Sequence, residues 1–93
     1  MMEVLQTFRK SAGGRYPITV TWSPPAGDSI ESVGISAGAC VVPTEGEFAP
    51  STVGNVTQFW VEGGTADVPG TIILTPETVD GVLEPQMIRM LYV

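Results

Sequence analysis

The segment at residues 16–22 constrains what this chain can fold into more than any other. Large side chains alternate there with proline and threonine: Tyr16, Ile18, Val20 and Trp22 in one set, Pro17, Thr19 and Thr21 in the other. A period of two residues sends the two sets to opposite faces of a β-strand. β-Branched and aromatic side chains also fit a pleated, half-buried surface. The segment is therefore predicted to be a strand with one apolar face. That face requires a second layer, as in a small β-sandwich or barrel.

Short strands are predicted along the whole chain. The segments are residues 4–8, 16–22, 29–37, 39–42, 55–61, 71–75 and 87–93. Turns are predicted at residues 11–14, 62–65 and 80–81, and a loop at residues 44–54, where proline and glycine interrupt the chain without any period. Seven short strands in 93 residues indicate one all-β sandwich domain over residues 1–93.

The net charge of −6 is unevenly distributed along the chain. The first fifteen residues hold Arg9, Lys10 and Arg15 against Glu3 alone, whereas Arg89 stands against nine acidic residues in the remainder. An acidic body repels phosphate, so the sequence argues against nucleic-acid binding. The basic segment is either a docking site for an acidic neighbour or a solvated first strand and turn.

Composition favours a protein that is made in the cytoplasm and belongs to an assembly. Cys40 is the only cysteine, which rules out an intrachain disulfide and fits a reducing compartment. Among alanine and valine neighbours it is predicted to be a small buried hydrophobe. Only 15% of the residues are charged, which predicts exposed apolar surface and hence contact sites. We recognise no signal peptide and no apolar stretch near the roughly 20 residues that span a bilayer.

The residue types argue against catalysis. The chain has no histidine, which removes the commonest general base and makes Ser-His or Cys-His nucleophiles impossible. Glu45 and Glu47 are the nearest carboxylate pair, but they lie in an acidic loop and are interpreted as solvated charges. Asp28, Asp67 and Asp80 lack the Asp-x-Asp spacing of calcium loops and are predicted to fix turns through backbone amides. We therefore expect no enzyme activity, no metal and no cofactor.

The two tryptophans lead to different predictions. Trp22 lies on the apolar face of residues 16–22, so it is predicted to be in the core. Phe59 and Val61 share one face of their strand, and if they point inward, Trp60 points outward. An outward tryptophan is either an anchor for a protein partner or a residue on which a carbohydrate stacks.

Three segments, taken in their order and spacing, form a more specific pattern. They are Tyr-Pro-Ile-Thr-Val-Thr-Trp at residues 16–22, Gly-Asp-Ser-Ile at 27–30 and Thr-Gln-Phe-Trp-Val-Glu-Gly-Gly-Thr at 57–65. This pattern resembles a family of small Ig-like β-sandwich proteins of tailed bacteriophages. In that family an aromatic-x-hydrophobic-x-Trp strand leads into a Gly-Asp-x-Ile turn, and a Trp-hydrophobic-x-Gly-Gly-Thr segment follows. The resemblance spans residues 4–93 and implies an Ig-like antiparallel β-sandwich of about seven strands.

This resemblance implies a virion structural protein, made in the host cytoplasm and without catalytic residues. A capsid decoration or head-surface accessory protein is the more specific expectation, and a tail- or baseplate-associated protein is the alternative. Its partners would be other capsid or tail subunits, with a homo-oligomer or many copies in each particle, and neither nucleic acid nor membrane. A carbohydrate-binding module that uses Trp60 is the competing hypothesis from another class.

Attachment is predicted at exposed strand edges and at the apolar ends of the chain. The predicted contact residues are Phe8, Arg9, Lys10, Trp60, Leu91 and Val93. Free strand edges are usually guarded by lysine, proline or bulges, and Lys10 is the only lysine here, so another chain could add a strand to such an edge. The alternative for residues 87–93, which are apolar on both faces, is a central strand buried on both sides.

Overall fold

The chain is all-β, with two sheets. A computed structural model describes residues 4–93, with side chains from residue 6 onward. The strands are β1 Val4–Lys10, β2 Arg15–Thr21, β3 Ile30–Gly38, β4 Ser51–Val53, β5 Val56–Glu62, β6 Gly70–Thr78, β7 Gly81–Val82 and β8 Gln86–Tyr92. A short 3-10 turn at Gly46–Phe48 is the one helical element of this described part, and none of it forms a helix long and apolar enough to cross a membrane. The predicted all-β class is confirmed.

Two sheets of different width make up the fold. The larger has the order β1-β8-β6-β3, with β7 paired to the end of β6, and the smaller has the order β2-β5-β4. β1 runs parallel to β8, whereas every other pair of described strands is antiparallel. The expectation of an antiparallel arrangement throughout is therefore wrong for β1. The turn at residues 11–14 carries the chain into the other sheet, so β1 lies beside the last strand instead of forming a hairpin with β2.

The core lies between the inner faces of the two sheets. Its buried apolar residues come from both layers: Ile18, Val20, Trp22, Phe59 and Val61 from the smaller sheet, and Ile72, Leu74, Ile88, Met90 and Tyr92 from the larger. The alternation predicted for residues 16–22 is confirmed, because inward and outward positions differ in burial along the whole strand. The inward orientation of Phe59 and Val61 is confirmed as well.

Trp22 brings an indole N–H into this core, where it finds a partner. Its Nε1 donates to Oγ1 of Thr57 at 2.9 Å, and Thr57 is itself fully buried. A further hydrogen bond of 2.9 Å joins the hydroxyls of Thr57 and Thr52. A buried donor without a partner would cost about 1–3 kcal/mol. The two hydrogen bonds therefore let the indole pack inside the sandwich, and they tie β4 to the core.

The interpretation of residues 39–54 is wrong in two places. The strand predicted at residues 39–42 is reduced to a single bridge between Val41 and Glu62, because Ala39 has a φ of 61° and interrupts the extended backbone. The loop predicted at residues 44–54 contains both the 3-10 turn and β4, which pairs with β5. Gly54, with a φ of 60°, and Asn55 form the two-residue turn of that hairpin.

The last strand is central and not an edge. β8 pairs with β1 on one side and with β6 on the other, so the central position expected by the alternative for residues 87–93 is confirmed, but burial on both faces is not, because Arg89 on the outer face is exposed. Its inward residues Ile88, Met90 and Tyr92 are buried, whereas Leu91 is half-buried on the outer face. Addition of a foreign strand to β8 is therefore excluded, because both of its edges already carry a neighbour.

Candidate protein-binding surfaces

The six predicted contact residues do not lie on one surface. Arg9, Leu91 and Val93 line a groove. Phe8 and Lys10 face inward, and Trp60 lies in an aromatic patch on the outer face of the smaller sheet. The division follows from strand alternation, since neighbouring residues of β1 point to opposite faces of the larger sheet. The groove is the place where residues from the two ends of the chain meet.

This groove, the terminal groove, lies at one end of the larger sheet. It has a volume of about 270 Å³ and is lined by Arg9, Asp67, Pro69, Leu91, Tyr92 and Val93. The parallel register of β1 and β8 sets Arg9 beside Leu91. Backbone hydrogen bonds of 3.0 Å run from Asp67 N to Tyr92 O and from Val93 N to Lys10 O. The groove thus combines apolar walls with one basic and one acidic side chain, on a backbone that hydrogen bonds hold in place.

Tyr92 fixes the loop at residues 63–69, which joins β5 to β6 and forms one wall of the terminal groove. Its ring lies against two glycines: a Cβ at Gly64 would come within 3.0 Å of the ring, and one at Gly70 would lie 3.0 Å from Cε2. The hydroxyl is buried and has no hydrogen-bond partner within residues 4–93. This burial, and secondarily the neighbouring Cys40 thiol, raises the pKa of Tyr92. Tyr92 is therefore a neutral residue that packs against the backbone around it. The backbone approaches its ring closely at Gly64 and Gly70 because these residues have no side chain.

Lys10 is placed differently from the expectation that it contacts a partner. Its side chain is only 5% exposed. The ammonium donates to the carbonyl oxygens of Ser11 and Gly63, each at 2.8 Å, and lies 5.2 Å from the centroid of the Tyr92 ring. Carbonyl oxygens and an aromatic face compensate such a cation for its lost water. Lys10 joins the end of β1 to the loop that follows β5, inside the domain.

Trp60 belongs to an aromatic patch on the outer face of the smaller sheet, formed with Arg15, Phe48 and Glu62. Phe48 meets Trp60 edge to face, with ring centroids 5.1 Å apart. The guanidinium carbon of Arg15 lies 4.0 Å from the centroid of Phe48, and its Nε donates to the Glu62 carboxylate at 2.9 Å. The predicted outward orientation of Trp60 is confirmed. Arg15 contacts Glu62 and Phe48 in this patch, and Lys10 is buried inside the domain. The basic N-terminal segment therefore does not form one basic patch.

Asp28 organises the opposite end of the larger sheet. Its Oδ1 accepts hydrogen bonds from the backbone N–H groups of Ser29 at 2.9 Å and Asp80 at 3.3 Å. The Thr78 hydroxyl, followed by the N–H groups of Ser29, Asp80 and Val79, holds the pKa of Asp28 below its usual value of 3.8. The predicted turn-fixing role is thus confirmed for Asp28. Residues 4–93 contain no group of three or more histidine, cysteine or acidic side chains placed to hold a metal ion.

Acid should weaken the domain partly through Asp28. A carboxyl whose pKa is lower in the folded than in the unfolded chain stabilises the fold at pH values above its unfolded pKa. This contribution is lost as the pH falls through its folded pKa. The variant Asp28→Asn keeps the Oδ1 acceptor but carries no charge. We expect the difference in Tm between wild type and Asp28→Asn to be constant near neutral pH and to shrink below the usual value of 3.8. A difference that did not change down to strongly acidic pH would contradict this assignment.

Comparisons with known proteins give little similarity. No protein family matches the chain, and no curated protein matches it. Among solved structures, the solution structure of Amebosin is similar over 94% of this chain and 88% of that chain, with 17% sequence identity and a TM-score of 0.46. At that TM-score the likeness bears on neither the function nor the finer type of the fold.

Proposed function

We propose that this chain is an Ig-like β-sandwich that serves as a virion structural protein of a tailed bacteriophage. The more specific form is a capsid decoration or head-surface accessory protein, with a tail- or baseplate-associated protein as the alternative within the same class. The resemblance carried by residues 16–22, 27–30 and 57–65 supports the virion role, and the arrangement of the strands supports the Ig-like sandwich. The terminal groove is the proposed site of attachment to another virion subunit.

The strand order supports the Ig-like assignment. A constant-type immunoglobulin sandwich places strands A, B, E and D in one sheet and C, F and G in the other. Here β2, β5 and β4 occupy the positions of B, E and D, and β3, β6 and β8 those of C, F and G. β1, in the position of A, pairs with β8 in place of β2. One strand therefore pairs in the other sheet, and the correspondence of the remaining strand order supports the proposed Ig-like assignment.

The terminal groove is the single observation that carries the binding role. Arg9, Leu91 and Val93, which the sequence indicates as contact residues, line it together. Val93 is 70% exposed, so an apolar side chain at the end of β8 is left to solvent. The buried cores of protein interfaces are more apolar than the rest of the surface, and interfaces are enriched in arginine. The groove therefore fits an apolar side chain of a partner subunit, with Arg9 and Asp67 available for polar contacts at its margin.

Two valines provide a matched test of this surface. Val93 in the groove and Val53 on β4 are 70% and 78% exposed, so Val93→Asp and Val53→Asp make the same chemical change at similar exposure on different surfaces. Val93→Asp should reduce incorporation into particles by tenfold or more, about 1.4 kcal/mol of binding, because a carboxylate in an apolar contact loses its water. Val53→Asp should be incorporated like wild type. Quantitative mass spectrometry of purified virions measures the occupancy, and circular dichroism verifies that both variants are folded.

Two outcomes of this experiment, and one of a separate glycan-binding assay, would count against the proposal. Absence of the wild-type chain from purified particles would remove the virion assignment altogether. Equal incorporation of both valine variants would show that attachment does not use the terminal groove. Glycan binding that is lost in Trp60→Ala, without binding to capsid or tail protein, would favour the carbohydrate-binding module.

A further inference from the structure

β3 is an unguarded strand edge. It is nine residues long and, among the described strands, pairs with β6 alone, along one side. Its one charged residue, Glu31, lies at the register shift between Ile30 and Ser32, and the regular part that follows, residues 32–38, has no charged residue, proline or bulge, which are the usual guards of a free edge. Other free edges differ, since β1 carries Arg9 and Lys10, β2 contains Pro17 and β4 has only three residues. β3 is therefore the edge at which a further strand pairs most readily.

The margin of the core is open along this edge. Val33 and Ile35 point inward and pack against the core, but each remains half-buried. On β6, the next strand inward, Ile72 and Leu74 are fully buried. A strand added beside β3 would cover the apolar area that Val33 and Ile35 leave exposed, and removing this area from water favours association.

We propose that β3 pairs antiparallel with β3 of a second copy, about a two-fold axis at Gly34. The centre of the strand reads Ser-Val-Gly-Ile-Ser, with the same classes of residue in both directions. Pairing about Gly34 sets Val33 opposite Ile35 and Ser32 opposite Ser36. Cross-strand pairs of β-branched residues and of hydroxyl residues are both favourable. The strand is thus self-complementary, as an interface between two identical subunits requires.

Charge and side-chain size also favour a second copy as the occupant. In the antiparallel arrangement the two Glu31 residues lie at opposite ends of the paired segment, whereas a parallel in-register arrangement would set them beside each other. The outward-facing positions of β3 carry only small residues: Ser32, Gly34, Ser36 and Gly38. These side chains allow close approach of the two edges, and the larger sheet then continues into the larger sheet of the second copy.

This pairing is a property of the domain and does not depend on the virion assignment. Each copy carries a net charge of −6, so the two copies repel each other at a distance. Salt screens that repulsion, with a Debye length of about 10 Å at 0.1 M. Self-association should therefore become tighter as ionic strength rises.

Gly34 is the position at which the pairing is tested. A Cβ there would meet only the Thr75 oxygen at 3.7 Å and the Thr75 Cβ at 3.9 Å, which is ordinary van der Waals contact, so the isolated domain accepts a side chain. In the dimer the two residues at this position face each other, with Cβ atoms roughly 5 Å apart. Gly34→Lys should weaken the dimer roughly tenfold or more by charge repulsion. Gly34→Thr, which adds a side chain without charge, should keep it.

Sedimentation equilibrium of the purified full chain over a range of concentrations measures the dissociation constant. Mixing Gly34→Lys with Gly34→Glu should restore dimers, because opposite charges then face each other across the axis. Circular dichroism verifies that each variant is folded. A wild-type chain that remains monomeric at its highest soluble concentration overturns the proposal. So does a Gly34→Lys variant that dimerises as tightly as Gly34→Thr.

Discussion

Trp22→Ala should remove most of the stability of this domain. Trp22 is 8% exposed and belongs to the central cluster of the core, and its truncation also takes the indole donor from the buried Thr57 hydroxyl. Loss of a buried tryptophan costs about 3–5 kcal/mol. Domains are stable by about 5–15 kcal/mol in total, and small ones lie at the lower end of that range. The free energy of unfolding from urea titration, followed by circular dichroism, measures the loss.

The second tryptophan is the matched control for this prediction. Trp60→Ala makes the same truncation on the outer face, where mainly the edge-to-face contact with Phe48 is lost, and it should cost about 0.5–2 kcal/mol. Trp22→Phe keeps an aromatic ring in the core but loses the hydrogen bond to Thr57, so its effect should be intermediate. If Trp22→Ala unfolded at nearly the wild-type urea concentration, the tryptophan would not be part of the core.

Much of the fold could be predicted because the informative residues act locally. The alternation at residues 16–22 indicates which face of the strand is buried, and the structure places Ile18, Val20 and Trp22 in the core. β4 was missed because three residues give too short a period to recognise, although Gly54-Asn55 between β-branched residues is a hairpin signal. The pairing of β1 with β8 depends on residues more than 80 apart in the chain, which no local pattern reports.

The candidate site was less predictable, because it depends on which residues meet. The sequence indicates Arg9, Leu91 and Val93. That they line one groove with Asp67 and Pro69 follows from the parallel register and from a loop whose Asp67 has a φ of 65°. Lys10 was expected to contact a partner, as part of the basic segment that could dock on an acidic neighbour. Its inward direction is set by alternation along β1. Its burial is compensated by the carbonyl oxygens of Ser11 and Gly63 and by the ring of Tyr92. Gly63 and Tyr92 are distant from Lys10 in sequence.

Gly64→Ala should destabilise the domain by about 2–6 kcal/mol, the sum of two separate effects. Gly64 has a φ of 110°, a conformation that residues with a Cβ adopt only under strain, at about 1–3 kcal/mol. The new methyl group would also lie less than 3.0 Å from three atoms of the Tyr92 ring, Cδ1, Cε1 and Cζ. Overpacking of this kind typically costs another 1–3 kcal/mol. Urea titration measures the sum.

Two further variants separate strain from overpacking at Gly64. Gly63 also has a positive φ, of 69°, but a Cβ there meets nothing within 4 Å, so Gly63→Ala should cost only the strain of a left-handed residue, about 1–2 kcal/mol. In a Tyr92→Val background, where the side chain ends before the ring atoms concerned, Gly64→Ala should lose its overpacking cost. The double variant should then be more stable than the sum of the single effects predicts. Strict additivity of the two substitutions would show that the ring does not press on this loop, and that the wall of the terminal groove is held by other contacts.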